Sequence, residues 1–140
     1  MKVAFGCDHA GYALKEVVVA HLKEMGHEVV DFGCYTPERV DYPAQGEKAA
    51  RAVASGECQL GVLICGTGIG ISLAANRVHG IRAAVCSESY SAELTRRHND
   101  ANMIAFGARV VGEGTACAIL DAFFNAKFEG GRHAQRVAML

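Results

Sequence analysis

The sequence predicts a three-layer, Rossmann-like α/β domain around a mostly parallel five-stranded sheet, with residues 1–140 forming one domain. Three observations predict it. Short apolar runs of strand length alternate with stretches whose apolar residues recur at helical spacing. Each connection between strand-like runs is long enough for a right-handed crossover. The run Leu60 to Cys65 is almost continuously apolar, as expected of a central parallel strand covered on both faces.

Val3 to Cys7 reads as the first strand, ending at Asp8 and His9. Beyond Ala13, the spacing of Leu14, Val17, Val18, Leu22 and Met25 predicts an amphipathic helix stopped by Gly26. Glu28 to Phe32 supplies the second strand, followed by a loop carrying Gly33, Pro37 and Pro43. Ala49, Ala50 and Val53 mark a second helix that ends near Ser55-Gly56. After the third strand, Leu60 to Cys65, the glycine loop Gly66-Thr67-Gly68-Ile69-Gly70 leads into a short helix over Ser72 to Asn76. Arg82 to Cys86 reads as strand four, Tyr90 to Arg97 as a helix and Met103 to Phe106 as strand five. The spacing of Ala116, Ile119, Leu120 and Phe123 gives a last long helix, and Glu129 to Leu140 reads as a charged tail with one further turn.

Charge and cysteine content narrow the function. With 14 Lys+Arg against 15 Asp+Glu the formal charge is -1, so no field of one sign favours nucleic acid or an anionic membrane. A small molecule or a protein is the expected partner. The opening apolar run, Met1 to Phe5, is too short for a signal peptide, and no later run reaches the ~18 apolar residues of a membrane span. A cytoplasmic protein is expected. Cysteines 7, 34, 58, 65, 86 and 117 form no C-x-x-C pair, which suits reduced thiols better than a disulfide framework or a zinc cage. All but Cys65 are read as packing residues.

Ligands of open parallel sheets gather at the carboxyl ends of strands, and this rule places Asp8-His9 and Cys65 to Gly70 on one edge. Unobstructed amides in the glycine loop can hold a phosphate or an oxyanion. The loop is neither a Walker loop nor a dinucleotide fingerprint, and a tight strand-to-helix turn explains it equally well. Cys65 precedes those amides, which favour a thiolate able to act as base or nucleophile; an inert core cysteine is the plain alternative. Asp8 and His9 can orient a hydroxyl and offer a cation, or Asp8 can simply cap the helix that follows. Arg132 and Arg136 stand four apart, so one helical turn brings both to a phosphate, with Arg109 as a third; the rival reading is a solvated tail. His98 falls at the amino edge of the sheet, a strand length of roughly 17 Å from Cys65. If both act on one substrate, a second subunit contributes, so a homodimer with shared sites is expected.

With these residues in view the chain resembles the ribose-5-phosphate isomerases of type B, of the ribose/galactose isomerase family, over nearly its whole length. The resemblance rests on Gly6-Cys7-Asp8-His9-Ala10-Gly11, Asp41-Tyr42-Pro43, Ile64 to Ser72, Arg97-His98-Asn99-Asp100-Ala101-Asn102, Phe106 to Gly112 and Glu129-Gly130-Gly131-Arg132-His133. It implies an aldose-ketose isomerase of the pentose phosphate pathway that interconverts ribose 5-phosphate and ribulose 5-phosphate through an enediolate. Cys65 would move the proton between the two carbons, while Thr67 and the amides of Gly66, Gly68, Ile69 and Gly70 stabilise the enediolate. His98, helped by Asp8, would open the sugar ring. His9, Arg109, Arg132 and Arg136 would hold the phosphate, Asn99 a substrate oxygen, and Tyr42 lies in a motif placed at the same site. The resemblance further implies a dimer or dimer of dimers that uses no metal and no organic cofactor. Some members carry a glutamate base on the helix after the glycine loop; Ile71 to Asn76 contains no acid here, which favours Cys65.

Three other readings compete. Allose- and galactose-6-phosphate isomerases share the motifs. A flavodoxin-like module could bind a phosphate or nucleotide without turnover. A metal-dependent hydrolase would draw on Asp8, His9 and His98, although these offer no compact ligand spacing.

Overall fold

The computed structural model describes residues 1–140. Its elements run β1 (Lys2–Cys7), α1 (Tyr12–Glu24), β2 (Glu28–Asp31), α2 (Tyr42–Ala54), β3 (Leu60–Cys65), α3 (Ile69–Asn76), β4 (Ala83–Val85), α4 (Ser89–Asn99), β5 (Met103–Gly107), α5 (Glu113–Asn125) and α6 (Arg132–Val137). The five strands form one sheet in the order β2-β1-β3-β5-β4, and every pairing is parallel. Burial follows that order. All of β3 and β5 is buried, β1 nearly so, and the edge strands β2 and β4 are only half covered.

Alternate strand residues feed two cores, because successive side chains leave a strand on opposite faces. On one face Val3, Phe5, Val62, Ile64, Ile104 and Phe106 pack against α1 and α5 through Leu14, Val18, Leu22, Ile119 and Phe123. On the other, Ala4, Leu63, Cys65, Met103 and Ala105 meet Ala49, Ala50 and Val53 of α2 and Ile71 and Ala75 of α3. Small residues on α2 let that helix approach closely. The aromatic face is correspondingly thick, and burying a side chain such as Phe123 stabilises the fold by about 2 kcal/mol.

Helix boundaries depart from the sequence reading in two places that matter. α2 begins at Tyr42, a full two turns before Ala49, with Pro43 in its first turn rather than in a loop. Proline suits that position, since its missing N–H would have had no helical partner. α3 begins at Ile69, so Ile69 and Gly70 are helical and the turn proper is Gly66-Thr67-Gly68. The tail holds a real helix, α6, entered through Gly130 and Gly131, both at positive φ.

Candidate active site

At the carboxyl edge, the chain leaves β1 and turns tightly against β3. Asp8 N–H donates to the carbonyl of Ile64 at 3.2 Å, and Asp8 Oδ1 accepts from Gly11 N–H at 3.0 Å, just before α1. Asp8 is buried, and its carboxylate organises the turn as a helix cap would. Beside it, half-buried His9 turns Nδ1 onto the Val40 peptide, 3.1 Å from its oxygen and 3.2 Å from its nitrogen. The loop after β2 is thereby tied to the end of β1.

The β3–α3 turn is the centre of this edge. Gly68 has φ 81°, a left-handed conformation, and a Cβ there would lie 2.7 Å from the carbonyl carbon of Phe106. Only glycine fits both demands. The turn directs Gly68 N–H at Cys65 Sγ, 3.1 Å away, and Ile69 N–H at Thr67 Oγ1, 3.2 Å away. Cys65 is 4% exposed while Thr67 is exposed, so the sulfur lies at the floor of the turn and the hydroxyl at its rim. The sulfur thus accepts a main-chain N–H at the start of α3. Arg109 comes to the same turn from the loop after β5: a Cβ on Gly66 would sit 3.0 Å from Arg109 Nη1. Tyr42, at the start of α2, lays its ring over Gly70, where a Cβ would fall 2.7 Å from its Cζ. One edge therefore gathers Asp8, His9, Tyr42, the residues Cys65 to Gly70 and Arg109.

Four of the other cysteines are held as thiols by their surroundings. None of the six is disulfide-bonded. Burial pushes the Cys7 thiol up to about 12 and the Cys86 thiol to about 11, and raises Cys58 and Cys117 as well. Such thiols stay protonated.

His98, Asn99, Arg132 and Arg136 lie elsewhere. His98 and Asn99 close α4, ahead of β5, on the amino edge; Cys65 pairs with Gly107 at the opposite end of that strand. Asp100 ends α4 in a left-handed conformation, φ 48°, with Arg96 Nη1 at 2.5 Å from Oδ1 and Arg82 Nη2 at 3.3 Å from Oδ2. Arg82 Nε also reaches the carbonyls of Asn99 and Asp100, so the turn that carries His98 is clamped. A cavity of about 310 Å³ is lined by His98, Asn99, His133, Arg136, Val137 and Leu140. Arg132 stands one turn from Arg136 on α6, and both are exposed. Within one chain Asp8 and His98 occupy opposite edges of the sheet, so the expected help from Asp8 to His98 is not available inside a single subunit.

Two residues carried no assigned role in the sequence reading yet belong to this second cluster. The rings of His98 and His133 stack with centroids 4.2 Å apart and planes 7° apart. Glu129 Oε2 faces both, 3.7 Å from His98 Nε2 and 3.4 Å from His133 Nε2, while its Oε1 accepts from Arg97 Nε at 2.7 Å. The arginine beside it holds the Glu129 carboxyl below the usual carboxylate range. Burial, and then the neighbouring His98, pull His133 below the ordinary imidazole value. The i, i+4 spacing of Glu129 and His133 was the available signal.

The three ligand atoms of His98, Glu129 and His133 lie within 4.8 Å of one another, which invites a metal. The ring geometry argues against it. Imidazole lone pairs lie in the ring plane, and two planes 7° apart aim theirs nearly parallel instead of converging on a point ~2.1 Å from each nitrogen. The hydrolase set fares no better, since Asp8 and His9 sit an entire strand from His98. A wider groove of about 570 Å³ runs along α1, lined by Tyr12, Lys15, Val19, Lys23 and Tyr35 among others, and touches neither cluster.

Residues 3–140 match the ribose/galactose isomerase family. The chain belongs to that family. Among its relatives, ribose-5-phosphate isomerase B of Escherichia coli K12 is 60% identical over 97% of this chain and 91% of the relative. Galactose-6-phosphate isomerase subunit LacB of Clostridium acetobutylicum is 42% identical over 98% and 79% respectively. The solved structure of Clostridium thermocellum ribose-5-phosphate isomerase B superposes with a TM-score of 0.98 at 56% identity, covering 99% of this chain and 94% of that one. As a ribose/galactose isomerase, the chain has the all-parallel α/β fold of its relatives, and no helix in it is long and apolar enough to cross a membrane.

Proposed function

We propose that this chain interconverts ribose 5-phosphate and ribulose 5-phosphate, acting as a single 140-residue domain in a homodimer whose sites are shared between subunits. The observation that carries the reading is Cys65 Sγ, 3.1 Å from the Gly68 amide and beside the Arg109 side chain. Identity with the E. coli enzyme supports the pentose phosphate over other sugars.

Moving a hydrogen between adjacent carbons needs a base for the carbon-bound proton and donors for the oxyanion that develops. Cys65 takes the proton from C2 of the open-chain aldose and returns it to C1, so no redox partner is consumed. The amides of Gly66 and Gly70 and the Thr67 hydroxyl face the enediolate oxygens, while the Gly68 amide serves Cys65 and the Ile69 amide holds Thr67. Arg109 and His9 grip the phosphate from the subunit that supplies Cys65, and Arg132 and Arg136 from its partner. Binding energy spent on the remote phosphate holds the reacting carbons in place. His98 opens the ring, Asn99 holds a substrate oxygen, and Asp8 reaches this group only across the subunit boundary. The division of labour follows from the fold, because each chain puts its two clusters on opposite edges of one sheet.

The test is solvent exchange. Wild-type protein should incorporate deuterium into ribulose 5-phosphate at C1, and Cys65→Ala should bind the substrate without exchanging. Full turnover by the alanine variant would remove Cys65 from the mechanism. The galactose-6-phosphate relative motivates one rival, the same chemistry on a six-carbon phosphate. A higher kcat/KM on allose or galactose 6-phosphate than on ribose 5-phosphate would favour it.

A further inference from the structure

His133 presents an oddity that the isomerase mechanism leaves unused. It is 7% exposed, and its Nε2 is buried with no hydrogen-bond partner. A buried polar atom left unpaired is costly, so its retention asks for a reason. Flat against it lies His98, and the free oxygen of Glu129 faces the Nε2 edge of both rings.

We propose that Glu129 and His133 are positioning residues for ring opening, the Arg97-anchored carboxylate holding a proton on the His98 edge of the stacked pair and the His133 ring fixing the plane in which His98 works. The inference rests on the proposed isomerase reading and on His98 as its ring opener.

Two imidazoles stacked 4.2 Å apart do not both carry charge cheaply. The groups around His133 decide which one does. His98 of α4 and Arg132 and Arg136 of α6 oppose a charge on His133, as does its burial, and only Glu129 favours one. The Glu129 carboxylate is therefore placed as counter-charge to His98, the more exposed ring. Glu129 is itself immobilised, since Arg97 binds its other oxygen while pairing with Glu93 one turn back on α4. This is the arrangement by which a carboxylate orients a histidine for acid–base work. In the reaction, the C1–O4 bond of the furanose breaks, its electron pair goes to O4, and O4 takes the proton from His98. The C1 hydroxyl gives its proton to solvent as C1 becomes a carbonyl, and His98 regains one from solvent, so no net proton is consumed.

Ribulose 5-phosphate separates this step from the chemistry at Cys65. Its C5 hydroxyl is phosphorylated, so it closes no five-membered ring and needs no opening. Steady-state turnover of ribose 5-phosphate and C1 deuterium exchange of ribulose 5-phosphate are therefore measured side by side for wild type, Glu129→Gln, Glu129→Asp and His133→Phe. Glu129→Gln should lower kcat/KM for ribose 5-phosphate about tenfold while exchange on ribulose 5-phosphate stays close to wild type. The alkaline limb of its pH–rate profile, set by the proton donor, should move toward lower pH. Glu129→Asp, which restores the charge, should recover part of the rate. His133→Phe, which keeps a flat ring and removes the nitrogens, should fall between wild type and Glu129→Gln. Equal losses in both reactions, or no loss in either, would overturn the inference. Absence of exchange in the wild type would instead overturn the isomerase reading itself.

Discussion

The amide of Gly68 donates to Cys65 Sγ across 3.1 Å, and it does so because Gly68 takes a left-handed conformation beneath the backbone of Phe106. The sulfur proposed as the base and the turn that serves it are thus one construction. Gly68→Ala adds a Cβ in a conformation that costs about 1–2 kcal/mol for an L-residue and also presses it against that backbone. The expected result is a loss of at least about 2 kcal/mol in denaturant unfolding together with a fall in kcat. An alanine variant with wild-type stability would show that the turn can reorganise freely.

Shared sites predict complementation. Cys65→Ala and His98→Asn homodimers should each be inactive. In a refolded equimolar mixture, half the dimers are mixed and each has one intact site, giving about a quarter of wild-type specific activity. A mixture as inactive as its parents would place both groups in one subunit's site.

The turn after α4 predicts a ranking. Asp100→Gly loses the clamp to Arg96 and Arg82 but relieves the positive φ, whereas Asp100→Ala loses the clamp and keeps the strain. Alanine should therefore be less stable than glycine by about 1 kcal/mol in equilibrium unfolding. Both should slow turnover of ribose 5-phosphate through His98.

Acid should weaken the fold partly through His133. Its folded value lies below the ordinary 6.5, so the unfolded chain binds the extra proton more readily. Stability is then full above that value and declines as pH falls through it. Thermal scans from pH 7.5 down to 5 should show a shallower decline for His133→Phe than for wild type. Parallel curves would show that His133 contributes nothing to the acid dependence.

How far the sequence exposed all this varied by element. β3 was legible to the residue, Leu60 to Cys65, because a strand buried on both faces has no polar alternation to blur its ends. α2 was misjudged at its start, since Tyr42-Pro43 combines loop-like composition with a helical first turn. The placement of β5 between β3 and β4 left no local trace, being a choice among crossovers. Asp8, His9 and Cys65 to Gly70 were readable as one group from the strand-end rule alone, whereas Arg109 was grouped with Arg132 and Arg136 and lies instead beside Gly66. The Glu129, His133 and His98 cluster was not, because stacking joins segments more than thirty residues apart through side-chain packing.

The strand order also dictates when the turn between β3 and α3 can mature. β4 pairs only with β5, so on a growing polypeptide it waits at the rim until later residues emerge. Gly107, at the end of β5, is the piece that closes over Thr67, where even a methyl group would come within 2.6 Å of its Cα. A nascent chain stalled before that glycine would carry Cys65 and β3 without the wall that shapes the Gly66-Thr67-Gly68 turn, which takes its final form only once β5 is in place.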